Sequence, residues 1–545
     1  MLSVLKSNGQ AYSNPILSGF YPDPSICRVG DDYYIVNSSF AYFPGLPIFH
    51  SKDLVNWNLQ SYAMDRNEQL DLKDAGVSRG LFAPTIRFHE GIFYIMCTLI
   101  DKGGNFIITA KDPKGPWSNP VWIKEVRGID PSLDFVDDKA YITFNSEPPN
   151  NTSLYDGHRT IRMYEFDAKN MKVVGEEKLL VNGGTDISKK PIWIEGPHLF
   201  KKDDWYYLLC AEGGTGYDHS EVVFRTKSLN EPFISFEKNP VLTQRHLNPN
   251  RKNPVTTTGH ADLVETHEGK WYAVFLGCRS YEGDYYNTGR ETFMLPVKWE
   301  QGWPIILEGD EEVKYQYPVP FPQQTKKVKN EFNGNPLFMD DFSKKKLNTR
   351  YAFLRNPDAG LYTLNNGDLL LPLREATVSG KETPAFIGFR QANIEGYAAT
   401  QIEFTAAKEN EKAGLLIFQS EHHYYFLCKS LQNGLAVVQL FKGEGNKNKG
   451  APPTLLASQP LVETKKLFLK IAANGDKYSF YYGLEKDKWI LLKDKVEGKF
   501  LSTKEAGGFV GSLFAMYGTS EGKPSTSVAK YQWFEYKGND DIYKK

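Results

Sequence analysis

The stretch Asp23-Pro24-Ser25-Ile26…Tyr34 recurs in four variants through the N-terminal part of this 545-residue chain. In every copy an aromatic residue lies 11 positions after the opening residue, and a short turn sequence of Asp, Glu or Gly precedes it. Five copies of one pattern predict five structural units of a single array. The other copies are Ala83-Pro84-Thr85-Ile86…Tyr94, Asp130-Pro131-Ser132-Leu133…Tyr141, Glu195-Gly196-Pro197-His198…Tyr206 and Ala261-Asp262-Leu263…Tyr272.

Each unit contains short runs of aromatic and β-branched residues beside Asp or Gly turns, such as Tyr33-Tyr34-Ile35-Val36 after Asp31-Asp32. Such runs are typical of β-hairpins. Three or four antiparallel strands per unit, repeated five times, predict a five-bladed β-propeller. A β-solenoid is the alternative repeat architecture, but its units are much shorter than these. No helical periodicity of useful length appears over residues 14–307.

The second half of the chain lacks the five-fold pattern. Residues 309–337 contain Pro318, Pro320 and Pro322 and read as a Pro-rich linker, because proline removes backbone donors and favours extended chain. Residues 338–545 contain alternating strand patterns with Gly and Asn turns, which predict a jelly-roll β-sandwich. The sequence therefore predicts an all-β protein: a five-bladed β-propeller over residues 1–308, the linker, and the sandwich.

Composition and charge exclude several classes of partner. A net charge of −1 and a pI near 6.8 argue against binding to nucleic acid. The five cysteines lack CxxC spacing, so we expect buried free thiols and no metal site. No segment is apolar and long enough to predict a membrane span. The chain as numbered starts without an apolar signal segment, which predicts a cytoplasmic protein, or a periplasmic or secreted one if a signal peptide was trimmed.

Three of the five repeat copies open with a carboxylate: Asp23, Asp130 and Glu195. If the copies are related by rotation about one axis, these side chains converge on that axis. Three carboxyls crowded together cannot all ionise freely, which pushes their pKa values apart, as acid–base catalysis requires. The alternative is that the Asp-Pro-Ser and Glu-Gly-Pro sequences only form turns. Three carboxyls in register favour a catalytic site.

Residues 14–306 resemble glycoside hydrolase family 43, and residues 338–545 resemble the concanavalin-like C-terminal domain of its β-xylosidases. The ordered set of motifs is specific, although single elements of it are common. The motifs are Asn14-Pro15-Ile16…Gly19-Phe20-Tyr21-Pro22-Asp23-Pro24-Ser25-Ile26, Phe43-Pro44-Gly45, Ile129-Asp130-Pro131-Ser132-Leu133, Glu195-Gly196-Pro197-His198, Gly259-His260-Ala261 and Gly289-Arg290-Glu291-Thr292.

The resemblance implies an inverting mechanism in which Asp23 is the general base, Glu195 is the general acid, and Asp130 orients Glu195 and raises its pKa. It also implies a set of substrate-binding residues: Arg290, His260, Phe40, Phe43 and Phe82. Phe82 departs from the tryptophan that xylosidases of this family usually have there. The loop at residues 154–159 is expected on the active face. The C-terminal domain has aromatic residues of its own, including Phe509 and Phe514. In related enzymes a loop of this domain closes the pocket, which favours exo action on short chains, and the alternative is a passive sandwich core.

The implied activity is exo-hydrolysis of xylo- or arabino-oligosaccharides from plant hemicellulose such as xylan, with release of a terminal pentose. A β-D-xylosidase is the main hypothesis, and an α-L-arabinofuranosidase or a dual-activity enzyme is the alternative. An endo-arabinanase and a non-catalytic carbohydrate-binding propeller are more remote alternatives. The chemistry requires no dissociable cofactor. The resemblance allows a structural calcium ion and a homo-oligomer, which the residues themselves do not indicate.

Overall fold

A computed structural model describes residues 10–322, 331–462 and 464–544. The N-terminal part is a ring of five antiparallel sheets, each made of strands from one continuous stretch of the sequence. The strands, ordered from the axis outward, are Ser25–Val29, Asp32–Val36, Gly45–Ser51 and Asn58–Met64 in blade 1; Gly80–His89, Ile92–Ile100, Gly104–Ala110 and Val121–Trp122 in blade 2; Ile129–Val136, Lys139–Ser146, Thr160–Asp167 and Lys172–Asn182 in blade 3; Glu195–Lys202, Trp205–Glu212, Ser220–Thr226 and Ile234–Ser235 in blade 4, with Leu242–Thr243 also pairing with Ser220–Thr226; and Val255–Glu265, Trp271–Arg279, Glu291–Glu300 and Trp303–Ile305 in blade 5.

The innermost strand of each blade contacts the innermost strands of both neighbouring blades, so the ring is closed. The opening residue of each repeat copy lies within one of these strands or, for Asp23, two residues before it. The second strand of each blade begins at or near the Asp or Gly turn that precedes the recurring aromatic residue. The sequence prediction of an all-β chain with a five-bladed β-propeller is confirmed.

One arginine, whose side chain is 17% exposed, connects all five blades at the axis. Arg87 of blade 2 pairs through Nε with Asp134 of blade 3 and through Nη1 with Asp262 of blade 5, at 2.8 Å each. Its Nη2 lies 3.1 Å from Nδ1 of His198 in blade 4, and its Nη1 donates to Oγ of Ser25 in blade 1 at 3.1 Å. We call these five residues the axial cluster. It fixes the angular position of every inner strand.

The C-terminal part is a sandwich of two antiparallel sheets, with apolar side chains such as Leu371, Leu415 and Phe480 between them. In order across the first sheet, the strands are Thr363–Asn365, Asp368–Pro372, Val528–Gly538, Glu395–Glu403, Lys466–Asn474, Lys477–Gly483 and Ile490–Glu497, with Leu337–Asp340 also pairing with Val528–Gly538. Across the second sheet they are Thr454–Pro460, Leu435–Lys442, His423–Gln432, Lys412–Ser420, Leu513–Thr519, Ala385–Arg390, Tyr351–Leu354 and Tyr42–Phe43.

The last strand of the second sheet, Tyr42–Phe43, belongs to the propeller, so the two domains share a sheet. A buried ion-pair network also joins them: Arg279 of blade 5 pairs with Glu291 and with Asp540 of the C-terminal segment, both at 2.6 Å. The sandwich is therefore joined to the propeller both by backbone pairing and by buried ion pairs.

Helical structure in the described residues is limited to short turns. The α-helix is Thr503–Ala506, and the 3₁₀ turns are Pro149–Asn151, Ile187–Lys189, Asn446–Asn448, Lys499–Leu501 and Asp541–Tyr543. No helix in the part of the chain that the structure describes has the length and apolar character needed to cross a membrane. All five cysteines are buried and free, as the sequence predicts.

The predicted linker at residues 309–337 contains one short strand, Gln316–Pro318, which pairs with Ala11–Ser13 near the start of the described chain. Residues 323–330 of that linker lie outside the described residues. The domain boundaries at 308 and 338 stay predictions.

Candidate active site

A pocket of about 620 Å³ opens at one end of the propeller axis. Its wall includes the three carboxylates that open repeat copies, Asp23, Asp130 and Glu195, each less than 8% exposed. They come from the inner strands or the approach to them in blades 1, 3 and 4. The convergence that the repeat pattern predicts is therefore present in the structure.

The backbone at these positions departs from regular strand geometry. Asp23 and Asp130 have φ of 50° and 51°, in the left-handed region that non-glycine residues rarely adopt. The pairing register of the inner strand shifts between Ile129 and Ser132 and again between Glu195 and His198. Such bulges re-aim side chains. They turn Asp130 and Glu195 out of the strand pattern and into the pocket.

Asp23 is surrounded by groups that stabilise its ionised form. Ser38 Oγ donates to Asp23 Oδ2 at 2.6 Å, Arg290 Nη1 lies 3.4 Å from Oδ1, and His260 Nδ1 lies 4.0 Å from Oδ1. Burial raises the pKa of this carboxyl, but Arg290, His260 and the Ser38 hydrogen bond together lower it below its ordinary value. Asp23 is therefore a carboxylate near neutral pH.

The surroundings of Glu195 favour its protonated form. Burial raises its pKa well above the usual range, and the neighbouring charges of Asp130 and Asp23 raise it further, while Arg290 and Trp193 only partly oppose them. Its Oε1 has no hydrogen-bond partner among the described residues. Burial and Asp23 also raise the pKa of Asp130, to about 6, against the opposing charges of His260 and Arg290. Glu195 is therefore the carboxyl of this set that holds a proton at neutral pH.

Arg290 and His260 complete the floor of the pocket. Arg290 Nη2 also donates to the backbone oxygen of Phe509 at 3.4 Å, so this guanidinium links the propeller to the sandwich. His260 lies against Gly196, where an added Cβ would approach Nε2 to 2.8 Å. Gly196 also has φ of +55°, so glycine is required here both for the backbone and for the histidine beside it.

Three phenylalanine rings form an apolar wall of the pocket. Phe40 lies 5.1 Å from Phe82 and 5.9 Å from Phe509 between ring centroids, and Phe82 lies 5.8 Å from Phe509. Phe509 comes from the sandwich, so the pocket is built by both domains. Sugars present apolar faces to such rings and direct their hydroxyls to polar groups.

Phe43, predicted as a pocket residue, does not line the pocket in the described structure. Phe43 pairs with Phe353 of the sandwich across the shared sheet. Phe43 is 6% exposed, in a core that includes residues of the sandwich. Alternation along Tyr42–Phe43 and the pairing with a distant strand place this ring in the interior. Phe40, Phe82, His260 and Arg290 are all brought to the pocket, together with the three carboxylates.

The family model for glycosyl hydrolases family 43 matches residues 12–304. The chain belongs to glycoside hydrolase family 43. A second model, for the beta-xylosidase C-terminal concanavalin A-like domain, matches residues 339–537. The resemblance that the motifs suggest is thus confirmed for both domains, and the chain is a glycosyl hydrolase.

Relatives of this family 43 chain match it over nearly its full length. A xylosidase/arabinosidase of Butyrivibrio fibrisolvens is 39% identical, over 96% of this chain and 98% of that protein. A non-reducing end alpha-L-arabinofuranosidase of Bacteroides ovatus is 36% identical, over 97% of this chain and 95% of that protein. A solved GH43_12 structure retrieved from a capybara gut metagenome is 38% identical with a TM-score of 0.87, over 94% of this chain and 96% of that one.

The family 43 pocket also contains residues that the sequence did not single out. Trp193 lies two positions before Glu195 and lines the pocket. The guanidinium of Arg159 lies 4.0 Å from the centroid of the Trp193 ring. Arg159 Nη1 pairs with Glu147 at 2.5 Å. Arg159 lies in the loop 154–159 that the sequence placed on the active face. The position of Trp193, two residues before a repeat copy, is a sequence feature from which an aromatic residue in the pocket could be predicted.

The sequence predicts no metal ligands, and the family resemblance allows a structural calcium ion. Among residues 10–322, 331–462 and 464–544, no three His, Cys, Asp or Glu side chains form a group that could hold a metal ion. The calcium ion stays a prediction without a site.

Proposed function

We propose that this chain is an exo-acting, inverting hydrolase that releases terminal β-D-xylose from hemicellulose oligosaccharides. The observation that carries the proposal is that Asp23 and Glu195 converge in one pocket, where Arg290, His260 and Ser38 lower the pKa of Asp23, whereas burial and the neighbouring carboxyls raise the pKa of Glu195. A glycosidic bond needs a proton donor for its leaving oxygen and, for inversion, a base that activates water on the other face of the sugar. The two carboxyls supply these functions.

In the proposed reaction, Asp23 accepts a proton from a water molecule as its oxygen attacks the anomeric carbon. Glu195 gives its proton to the glycosidic oxygen as the bond to the anomeric carbon breaks. Asp130 keeps Glu195 protonated through its negative charge, and Arg290 binds sugar hydroxyls with its planar set of donors. The product sugar carries the inverted anomeric configuration.

Exo action follows from the construction of the pocket. Phe509 of the sandwich closes one side of a site that the propeller alone would leave open. A pocket closed in this way accepts a chain end and obstructs the passage of a long chain through it. We therefore propose a terminal pentose as the released unit, and xylo-oligosaccharides as the main substrates.

α-L-Arabinofuranosidase activity is the second candidate, alone or beside xylosidase activity. It is favoured by the names of the two relatives described above, each of which includes an arabinose-releasing activity. Phe82, in place of the tryptophan usual in xylosidases, leaves a smaller aromatic wall beside the sugar. For two pentoses with similar hydroxyl positions, the free energy of transition-state binding differs by only about 1–3 kcal/mol in such a pocket.

The test compares kcat/KM for 4-nitrophenyl β-D-xylopyranoside and 4-nitrophenyl α-L-arabinofuranoside, with Phe82→Trp as the matched variant. Preference for the xyloside supports the main proposal, and preference for the arabinoside supports the second. If Phe82 sets the choice, Phe82→Trp shifts the ratio toward the xyloside. Turnover of neither glycoside would contradict both proposals and favour a longer glycan or a binding function.

We propose no dissociable cofactor, because the three carboxyls carry the acid, the base and the charge that tunes the acid. Homo-oligomerisation stays a prediction. The cellular compartment also stays a prediction, with cytoplasmic and exported forms both open.

A further inference from the structure

The second sheet of the sandwich has an outer face that the propeller covers only in part. Along the strand His423–Gln432, Tyr425 and Leu427 point into the sandwich core, whereas Tyr424 and Phe426 point to the outer face. Near the junction this face packs against Phe20 of the propeller. Farther along it is open and forms a cavity of about 900 Å³. We call this cavity the sandwich groove.

Aromatic rings and hydrogen-bonding groups alternate in the sandwich groove, which is lined by Tyr424, Phe426 and Phe441 among others. Tyr424 OH lies 3.0 Å from Ser379 Oγ, and His422 Nδ1 lies 2.8 Å from Glu444 Oε1. Glu444 Oε2 has no hydrogen-bond partner among the described residues, although its side chain is only 3% exposed. Rings beside carboxylate acceptors are the combination that binds the faces and hydroxyls of sugars.

The charge of the groove selects against an acidic ligand. Four carboxylates line it, at Glu375, Glu382, Glu444 and Glu521, and Lys412 is paired with one of them, Glu521, at 2.6 Å. A polyanionic chain would meet like charge on most sides, whereas neutral sugar hydroxyls would donate to these carboxylates.

A smaller cavity lies between the groove and the active site in the order of the residues that line them. This cavity of about 340 Å³ shares Arg79 and Ile100 with the catalytic pocket. Lys381 lines that smaller cavity, and the adjacent Glu382 lines the sandwich groove. The smaller cavity thus adjoins the catalytic pocket, and the chain neighbours Lys381 and Glu382 relate it to the groove, so we infer a track over the segment 375–382.

We propose that the sandwich groove binds a neutral stretch of the same oligosaccharide or polysaccharide whose end is hydrolysed in the pocket. This inference rests on the proposed function for the identity of the chain, since both ends of the track would hold parts of one substrate. The groove raises the affinity for long substrates by adding contacts far from the scissile bond, and short substrates do not reach it.

The experiment measures kcat/KM for xylohexaose and for a 4-nitrophenyl glycoside in the parent and in two groove variants, Glu444→Gln and Phe441→Ala. Glu485→Gln, an exposed glutamate paired with Lys488, is the control. We expect kcat/KM for xylohexaose to fall by about three- to ten-fold, which corresponds to the net contribution of one hydrogen bond. The kcat/KM for the small glycoside should be unchanged. An unchanged ratio between the two substrates, or an equal loss for both, overturns the proposal.

Binding separates this test from that of the proposed function. In Glu195→Gln protein, which should bind without hydrolysis, isothermal titration with xylohexaose measures affinity whether or not the parent is active. Addition of Glu444→Gln should weaken that affinity by a similar factor, and Glu485→Gln should not. Unchanged affinity in the Glu444→Gln protein contradicts the groove site. A parent that hydrolyses neither small glycoside contradicts the proposed function instead.

Discussion

At the scale of single residues, the site depends on two carboxyls of the same chemical type that differ in protonation. Asp23 lies beside Arg290 and accepts a hydrogen bond from Ser38, while Glu195 lies buried beside two other carboxyls. The environment and not the residue type assigns the roles, as in other hydrolases that use paired carboxyls.

Glu195→Ala should remove the proton donor while leaving the base in place. We expect kcat/KM on natural xylo-oligosaccharides to fall by about 10²–10⁴-fold, because their leaving oxygen is a poor one. Aryl glycosides with acidic leaving groups, which need little protonation, should lose far less. Steady-state kinetics on a series of aryl xylosides measures this, and an equal loss across the series would contradict the role of Glu195.

The pH profile of kcat/KM should be bell-shaped. Asp23 must be ionised, so activity is lost as pH falls through its lowered pKa. Glu195 must be protonated, so activity is lost as pH rises through its raised pKa. Because the charge of Asp130 helps to raise the pKa of Glu195, Asp130→Asn should move the alkaline limb to lower pH. An alkaline limb that stays in place or moves upward would show that Asp130 does not tune the acid.

At the scale of elements, the inner strands act together because the axial cluster joins one residue from each blade. Asp134 and Asp262 are both 2% exposed, and their charges are compensated by Arg87. The active site lies on the same strands a few residues earlier. Strand position at the axis therefore determines the geometry of the carboxyls.

Arg87→Met should leave the buried carboxylates of Asp134 and Asp262 without the arginine that pairs with both. Breaking a buried ion pair costs about 3–5 kcal/mol, so we expect a loss of this size in the free energy of unfolding at neutral pH. Asp134 already has a pKa of about 6 through burial, and without Arg87 both carboxyls should protonate more readily. Urea unfolding should therefore show a smaller loss near about pH 5 than at neutral pH, because a protonated carboxyl is no longer an uncompensated charge. A loss independent of pH would contradict the electrostatic account.

The five repeat copies predicted the blades and the convergence of Asp23, Asp130 and Glu195. Both follow from local strand patterns and from rotation of the copies about one axis. The family resemblance implies a pocket position for Phe43. Its partner in the shared sheet, Phe353, lies more than 300 residues later, and the local sequence contains no signal of that pairing. Arg159 lies in the loop that the sequence predicts on the active face, but its contact with Trp193 depends on the path of that irregular loop. Long-range pairing and loop geometry are the features that a single sequence encodes least directly.

At the scale of the whole molecule, catalysis and substrate selection depend on two domains that share a sheet and a buried ion-pair network. Phe509 is the sandwich residue that reaches Arg290 and the aromatic wall. The sandwich is thus part of the active site as well as a neighbour of the propeller.

Phe509→Ala should open the pocket without unfolding the chain. We expect kcat/KM on the preferred 4-nitrophenyl glycoside to fall by up to about 100-fold, since small displacements of a bound sugar and of Arg290 have effects of this size. Phe509→Leu, which keeps most of the apolar volume, should retain more activity. Thermal unfolding serves as the control for folding. Full activity in the alanine variant would show that the sandwich does not complete the site.

The central claim is that Asp23 and Glu195 act as base and acid on opposite faces of a terminal pentose. Proton NMR of xylobiose hydrolysis, recorded before the products mutarotate, tests it most directly. The account predicts that the newly formed xylose appears first as the α-anomer, because water attacks from the face opposite the β-linked leaving group. First appearance of the β-anomer would contradict it, since retention requires a carboxylate that attacks the sugar itself.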